Sequence, residues 1–216
     1  ARLAGVAVLS VPPNEHVIPC YAQDARGAAR AGAREGAILG RFVLLDQVAF
    51  NGETWLLARV WRALRRRRPD IRVVVSYADP VARRAADGST VHPGHTGTIY
   101  QAFNGAYLGR SRAKNLVLDK AGRCHDGRAL SKVRAGADGA CYVLEQLERA
   151  GCAPKRATES GAAYLHRLFG SGALRRRKHP GNHVYRWVLD KTLKDVLDAP
   201  GLDYPTHIDP TQVTLL

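Results

Sequence analysis

Nothing in the 216 residues approaches the ~18 consecutive apolar residues that a membrane-spanning helix requires. The four cysteines, Cys20, Cys124, Cys141 and Cys152, form no Cys-x-x-Cys pair and no regular framework. That spacing speaks against a zinc ribbon and against a disulfide scaffold. No targeting peptide opens the chain, so the thiols read as reduced and the protein as cytoplasmic. There is no internal repeat. Acidic residues are scarce: 19 Asp and Glu stand against 33 Lys and Arg, a formal net charge of +14. An excess of that size attracts polyanions such as DNA, RNA, an anionic membrane or a phosphate-rich cofactor. The plainer alternative is a solubility charge or an Arg-rich coding bias.

What is present reads as a globular chain, 45% hydrophobic by composition. Residues 3–11 are an alternating Val- and Leu-rich strand that stops at Pro12-Pro13. Residues 24–37 form a weakly helical Ala/Arg/Gly segment, read as mobile surface. "GRFVLLDQVAF" (40–50) is a strand, and an amphipathic helix follows from Glu53 to Arg68. "IRVVVSYADP" (71–80) has the apolar run of a strand buried on both faces. After a loop to Pro93, "GTIYQAFNGAYLG" predicts a helix with two stripes. One stripe is Ile99, Phe103 and Ala106; the other is Tyr100, Asn104 and Tyr107, with Gln101 beside it. Strand–helix–strand–helix over 40–108 implies a parallel or mixed sheet with helices packed on it. Downstream lie a strand at 115–119, a helix broken near 136–139, a short helix from Gly161, a strand at 182–190 and a Pro-rich extended tail from Ala199.

Four groups of residues carry possible chemistry. The Asn51–Thr54 junction opens a helix through Gly52 and offers backbone N–H groups to a phosphate, although Glu53 already complements that helix end. Ser76, Tyr77 and Asp79 lie at the C-terminal end of a buried strand, where ligand sites of α/β sheets gather; alternatively Asp79-Pro80 only begins a turn. The turns holding His92 and His95, and His179 and His183, suggest zinc ligands with Cys124 or Asp79, but lack a metal-binding spacing. No metal is assigned. His95 suits a general base. Basic clusters occur at Arg65–Arg68, Arg83-Arg84 and "LRRRKHPGNHVYRW" (174–187). The last interleaves cations with Tyr185 and Trp187, a nucleic-acid pattern. Alternation also reads both aromatics as inward-facing, with Arg186 exposed between them.

"FVLLDQVAFNGETWLLARVWRALRR", "VVVSYADP", "GHTGTIYQAFNGAYLG" and "RKHPGNHVYRWVL" together resemble the Mom family, DNA-modification proteins of the phage Mu type and a divergent branch of the GNAT acyltransferase fold. The likeness runs with gaps over most of residues 3–190, and "SYAD…GHTGTIYQAFN" is its most specific part. It implies a mixed, mainly antiparallel GNAT-like sheet flanked by helices, with residues 1–198 as the catalytic domain and 199–216 as a tail. It implies carbamoylmethylation of adenine N6 in double-stranded DNA, which protects phage DNA from restriction in the host cytoplasm. Ser76, Tyr77, Asp79, His95 and Tyr100 would then be catalytic, and Gln101, Asn104 and Tyr107 would bind the flipped-out base. Val48 and Asn51, Gly52, Glu53 and Thr54 would meet an acyl-CoA or related acyl donor, although the glycine-rich GNAT signature is largely absent. Arg65, Arg66, Arg67, Arg175, Arg176, Arg177, Lys178, His179, Asn182 and His183 would contact DNA. Mom-like proteins carry a His-Tyr pair ahead of the first strand, and this sequence is expected to begin beyond it. Two other readings stay open: a GNAT-like N-acyltransferase acting on a protein or small amine, and a DNA-binding relative without catalysis.

Overall fold

The computed structural model describes residues 3–85, 87–197 and 201–208. In chain order the elements begin with β1 (Gly5–Ser10), α1 (Val17–Tyr21), a 3-10 turn (Ala33–Glu35), β2 (Gly36–Leu44), α2 (Gly52–Arg67) and β3 (Val73–Ala78). Next come β4 (Arg83–Arg84), β5 (Thr90–His92), α3 (Thr98–Ala102), β6 (Ala106–Arg110), β7 (Lys114–Asp119) and β8 (Cys124–His125). The last are α4 (Gly127–Ala135), α5 (Ala140–Arg149), α6 (Gly161–Gly170), β9 (Leu174–His179), β10 (His183–Val188) and α7 (Lys191–Leu197). This is the mixed α/β class the sequence implies. Contacts gather into two units. The first holds the described residues of Ala1–Asp79, His95–Ser111 and Asn182–His207; the second holds those of Pro80–Gly94, Arg112–Gly181 and Ile208–Leu216. Of the expected tail, residues 199–200 and 209–216 lie outside the described residues.

The first unit is built on a five-stranded sheet in the order β1-β2-β3-β10-β6. Only β2 and β3 run parallel, with α2 as the connection between them; every other neighbouring pair is antiparallel. The near-continuous apolar run of β3 suits a strand covered on both faces. Val74 and Ala78 join one core with Leu57 and Trp61 of α2, Tyr100, Tyr185 and Trp187. Val73 and Val75 join the other core with Ile18 of α1 and Leu193 and Leu197 of α7. A side chain as fully buried as Leu57 contributes roughly 1.5–3 kcal/mol over leaving it in water.

Several expectations are corrected here. The helix predicted from Gly97 to about residue 108 ends at Ala102. Asn104 takes a left-handed φ of 53°, and β6 begins two residues later. Gly105 permits that turn by close approach: a Cβ there would lie 2.8 Å from a Trp187 ring carbon and 2.9 Å from the Tyr100 carbonyl oxygen. The two stripes therefore belong partly to a helix and partly to a strand. The strand expected at 40–50 runs instead over Gly36–Leu44, because its partners end there: Gly36 pairs with Val73 and Leu44 with Gly5. Residues 24–32 hold no α-helix; they fold around Asp24, whose carboxylate accepts from the N–H groups of Arg26 and Ala28 and from Arg30 Nε. Arg186, expected to be exposed, is buried because β10 is an interior strand. Its guanidinium donates to the carbonyls of Tyr21 and Leu197.

In the second unit, α4, α5 and α6 pack through Leu130, Val133, Val143, Leu147, Leu165 and Leu168. Asp126 caps α4 by accepting from the N–H groups of Arg128 and Ala129, and Gly136 ends it in a left-handed conformation, the break legible in the sequence. A three-stranded sheet has the order β8-β7-β9. On its edge strand β9, residues Arg175 to Lys178 are all exposed. Charge along an edge also discourages pairing with another sheet. Where a loop was expected before Pro93, β4 and β5 form a short antiparallel pair.

Candidate active site

Strand register assembles the site in the first unit. Ser76 of β3 pairs with Tyr185 of β10, which in turn pairs with Tyr107 of β6; one step along, Ala78 pairs with His183, and His183 with Arg110. The pleat sends alternate residues to one face, so His183, Tyr185 and Trp187 point the same way. Helix α3 lays Tyr100 against Tyr185 and Trp187, with ring centroids 5.5 and 5.6 Å apart. Tyr107 stands 5.4 Å from Tyr185 and 5.5 Å from His183. Gly97 makes this packing possible. Its φ is 86°, and a Cβ there would lie 2.6 Å from the Tyr185 ring.

The polar groups of this aromatic cluster are held tightly. Tyr185 donates its hydroxyl proton to the Thr96 carbonyl, while Gln101 Nε2 donates to Tyr185 Oη at 3.0 Å and to the Pro205 carbonyl at 3.1 Å. Tyr204 donates to the Gly105 carbonyl at 3.0 Å, so residues 202–205 lie along the cluster. Burial pushes the Tyr185 phenol up to about 12. Burial likewise raises Tyr100, against its hydrogen bond with Ser76, and Tyr107, against the nearby Arg110 charge.

His183 is the exception. It is 2% exposed, and burial, followed by the charges of Arg110 and His95, pushes its imidazole down to about 4. The ring is therefore neutral at neutral pH. Its Nδ1 lies 2.8 Å from Tyr107 Oη. The Arg110 guanidinium beside the same phenol can only donate, an arrangement that favours the phenolic proton going to Nδ1. The ring proton of His183 then sits on Nε2. That buried nitrogen has no hydrogen-bond partner among the described residues. An unanswered buried donor costs roughly 1–3 kcal/mol, and a site that retains one is suited to a ligand that supplies the acceptor.

The other candidate residues are distributed unevenly. Ser76 is buried and donates to the Leu39 carbonyl at 3.0 Å. Tyr77 points to the opposite face of the sheet, edge-on to Tyr21, where burial raises its phenol. It does not meet Tyr100. Asp79 follows the end of β3 and its carbonyl accepts from the His95 N–H at 2.8 Å; the His95 side chain is exposed, edge-on to Tyr100 at 6.3 Å. Asn104 is an exposed turn residue. His179 is buried, and its Nδ1 accepts from the Gly181 N–H. His179 and His183 are thus turned inward, away from any phosphate, and the Oδ1 of Asn182 is buried without a partner among the described residues. Arg65 donates to the Leu189 carbonyl, whereas Arg66, Arg67 and Arg175–Lys178 are exposed.

Val48, Asn51 and Gly52 line a hollow of about 450 Å³ with Leu44, Phe50, Trp55 and Leu56. No charged side chain lines it, and Glu53 occupies the first turn of α2. Thr54 Oγ1 donates to the Asn51 carbonyl. Only backbone N–H groups at the start of α2 are offered to a phosphate here, with no side-chain cation beside them. Sequence reasoning missed Arg110 and Tyr204 altogether, and left Tyr185 and Trp187 open between base-stacking aromatics and inward-facing strand residues; they are inward-facing. Alternation offered the inward reading but not what they pack against.

A family model describing the Mom protein family matches residues 1–206. The chain belongs to the Mom protein family. No curated protein matches it. As a family member it is a phage Mom-type DNA-modification protein, and the family points to DNA as its substrate. Among the described residues, no helix is long and apolar enough to cross a membrane, and no three His, Cys, Asp or Glu side chains converge in a metal-ligating group.

Proposed function

We propose that this Mom-family protein is a transferase that carbamoylmethylates N6 of adenine in double-stranded DNA and so protects phage DNA from restriction. The observation that carries this reading is the buried, neutral His183, held by Tyr107 with an unanswered Nε2. A GNAT-like scaffold is supported by the mainly antiparallel sheet with its one parallel β2–α2–β3 unit. Adenine N6 is inaccessible to an enzyme while stacked, so the base has to leave the duplex. His183 Nε2–H would then donate to an acceptor on the base or on the transferred group. As the N6–C bond forms, the bond between the donor's methylene carbon and its leaving group breaks, the leaving group departs with that electron pair, and the N6 proton passes to the exposed His95. Tyr107, packed on Tyr185 and through it on Tyr100, positions His183, and Gln101, whose Nε2 is committed to Tyr185 and Pro205, keeps only its Oε1 for a base edge. The donor is a carbamoylmethyl source, and the cation-free Asn51–Thr54 junction would meet any phosphate on it through backbone N–H groups alone.

A second reading, DNA binding without catalysis, is favoured by the closure of the cluster, since Tyr185 is fully buried. Nucleoside mass spectrometry of plasmid DNA from expressing cells separates the two. A modified deoxyadenosine, absent with His183→Ala, is expected. Unmodified DNA alongside a soluble, DNA-binding protein would favour the second reading or a donor absent from the expressing cells, and a search for bound donor on the purified protein separates these two.

A further inference from the structure

Helix α2 has two opposed faces. Leu57, Val60, Trp61 and Leu64 pack into the sheet core. On the other side, at i, i+4, i+7 and i+11, stand Trp55, Arg59, Arg62 and Arg66, within about 60° of one another around the helix. Trp55 is 56% exposed, and the Arg59 guanidinium stacks on its ring, 3.5 Å from the centroid. None of these three arginines forms an ion pair with a described residue. Just before the helix, Phe50 is fully exposed at 101% and belongs, with Trp55, to the lining of the uncharged hollow.

An exposed phenylalanine and tryptophan beside a row of unpaired cations suit a partner with regular negative charge and flat apolar faces. Arg59 to Arg66 spans ~10 Å of helix, about three phosphate steps of one DNA strand. Apolar wedges that enter a base step and partly unstack it are a known way of deforming a duplex. We propose that the outer face of α2 is a DNA-docking surface: Arg59, Arg62 and Arg66 track one strand, the Trp55–Arg59 stack lies against it, and Phe50 enters the base stack as a wedge that assists extrusion of the target base. This rests on DNA being the substrate. It reassigns the helical contact from the Arg65–Arg67 run to a stripe of period 3.6, because Arg65 is engaged by Leu189.

The tryptophans allow a direct test. Trp61 and Trp187 are 4% and 6% exposed, so a change in emission on ligand binding reports chiefly on Trp55. The full chain is titrated with a 20-base-pair duplex carrying 2-aminopurine, and anisotropy of the labelled duplex reports binding independently. Expected are quenching of tryptophan emission that Trp55→Phe removes and a rise in 2-aminopurine fluorescence that Phe50→Ala removes while binding persists. Arg59→Ala/Arg62→Ala/Arg66→Ala should lower the log–log salt slope by up to about 2.7. Wild-type binding with unchanged tryptophan emission and an unchanged slope in the triple variant overturns this proposal and leaves the DNA reading standing. Absence of any duplex binding at low salt overturns both. Quenching by phosphatidylserine vesicles but not by the duplex overturns it in favour of a membrane surface. All the substituted side chains are exposed, and thermal melts verify that the variants fold.

Discussion

The two units solve different problems with different residues. The first buries aromatic rings and polar groups together: Tyr100, Tyr107, Tyr185 and His183 share one face of a sheet. The second packs three helices through mainly aliphatic side chains and shows cations outside. Charge follows the same division. The sequence of the second unit holds 17 Lys and Arg against 8 Asp and Glu, and that of the first 16 against 11. Titratable chemistry therefore concentrates in one unit and most of the positive excess in the other. On the proposed reading this suits a protein that modifies one base while binding a polyanion, since the first unit keeps its own DNA-facing cations on the exposed face of α2, outside the buried cluster where a cation would need costly desolvation.

The sharpest way to break this comparison is to disable each unit separately. Tyr107→Phe removes the phenolic proton that fixes His183. It is expected to lower modification by 100-fold or more, on the order of 3 kcal/mol of transition-state stabilisation, while duplex binding changes little. Substituting Arg175, Arg176 and Arg177 by Ala should do the reverse: a salt slope lower by up to about 2.7, uniform weakening across sequences, and near-normal modification at saturating DNA. If both variants lose binding and modification in parallel, the division of labour is wrong.

Smaller effects sharpen the account of the reactive cluster. Gly97→Ala adds a Cβ against the Tyr185 ring at a left-handed φ, and should cost about 2–3 kcal/mol in urea unfolding. Below that comes a pH effect. The folded pKa of His183 is depressed to about 4 from the 6.5 of a free imidazole. Between those values the unfolded chain binds a proton that the folded chain refuses. Its contribution to stability is thus fully retained above pH 6.5 and is lost as pH falls towards 4, by roughly 1 kcal/mol per pH unit. Urea midpoints from pH 7 to 4 should show a steeper fall in the wild type than in His183→Gln. Equal slopes would mean that His183 is not held neutral by its surroundings.

Much of the architecture was legible. The apolar run of β3, the amphipathic pattern of α2 and the glycine break between α4 and α5 each carry a local signal. The helix quoted from Gly97 did not, because a helical period across Ile99–Tyr107 is interrupted by a turn at Asn104-Gly105 that depends on contact with Trp187. Tyr100, Gln101 and Tyr107 were singled out by the stripe in "GTIYQAFNGAYLG" and His95 by the turn before it, and the structure places them around Tyr185 and its neighbours. His183 was grouped with the cations beside it in sequence, and only strand pairing moves it next to Tyr107. The wedge face of α2 was masked in the same way: consecutive arginines draw the eye to Arg65–Arg67, whereas helical geometry selects Arg59, Arg62 and Arg66.

The central claim is that the chemistry depends on one buried histidine. The most direct measurement is the nucleoside mass spectrum of plasmid DNA from cells expressing the wild type beside His183→Ala, with duplex binding checked on the same purified proteins. The account predicts a modified deoxyadenosine with the wild type and none with a His183→Ala protein that still folds and binds DNA. Equal modification by both proteins would contradict it.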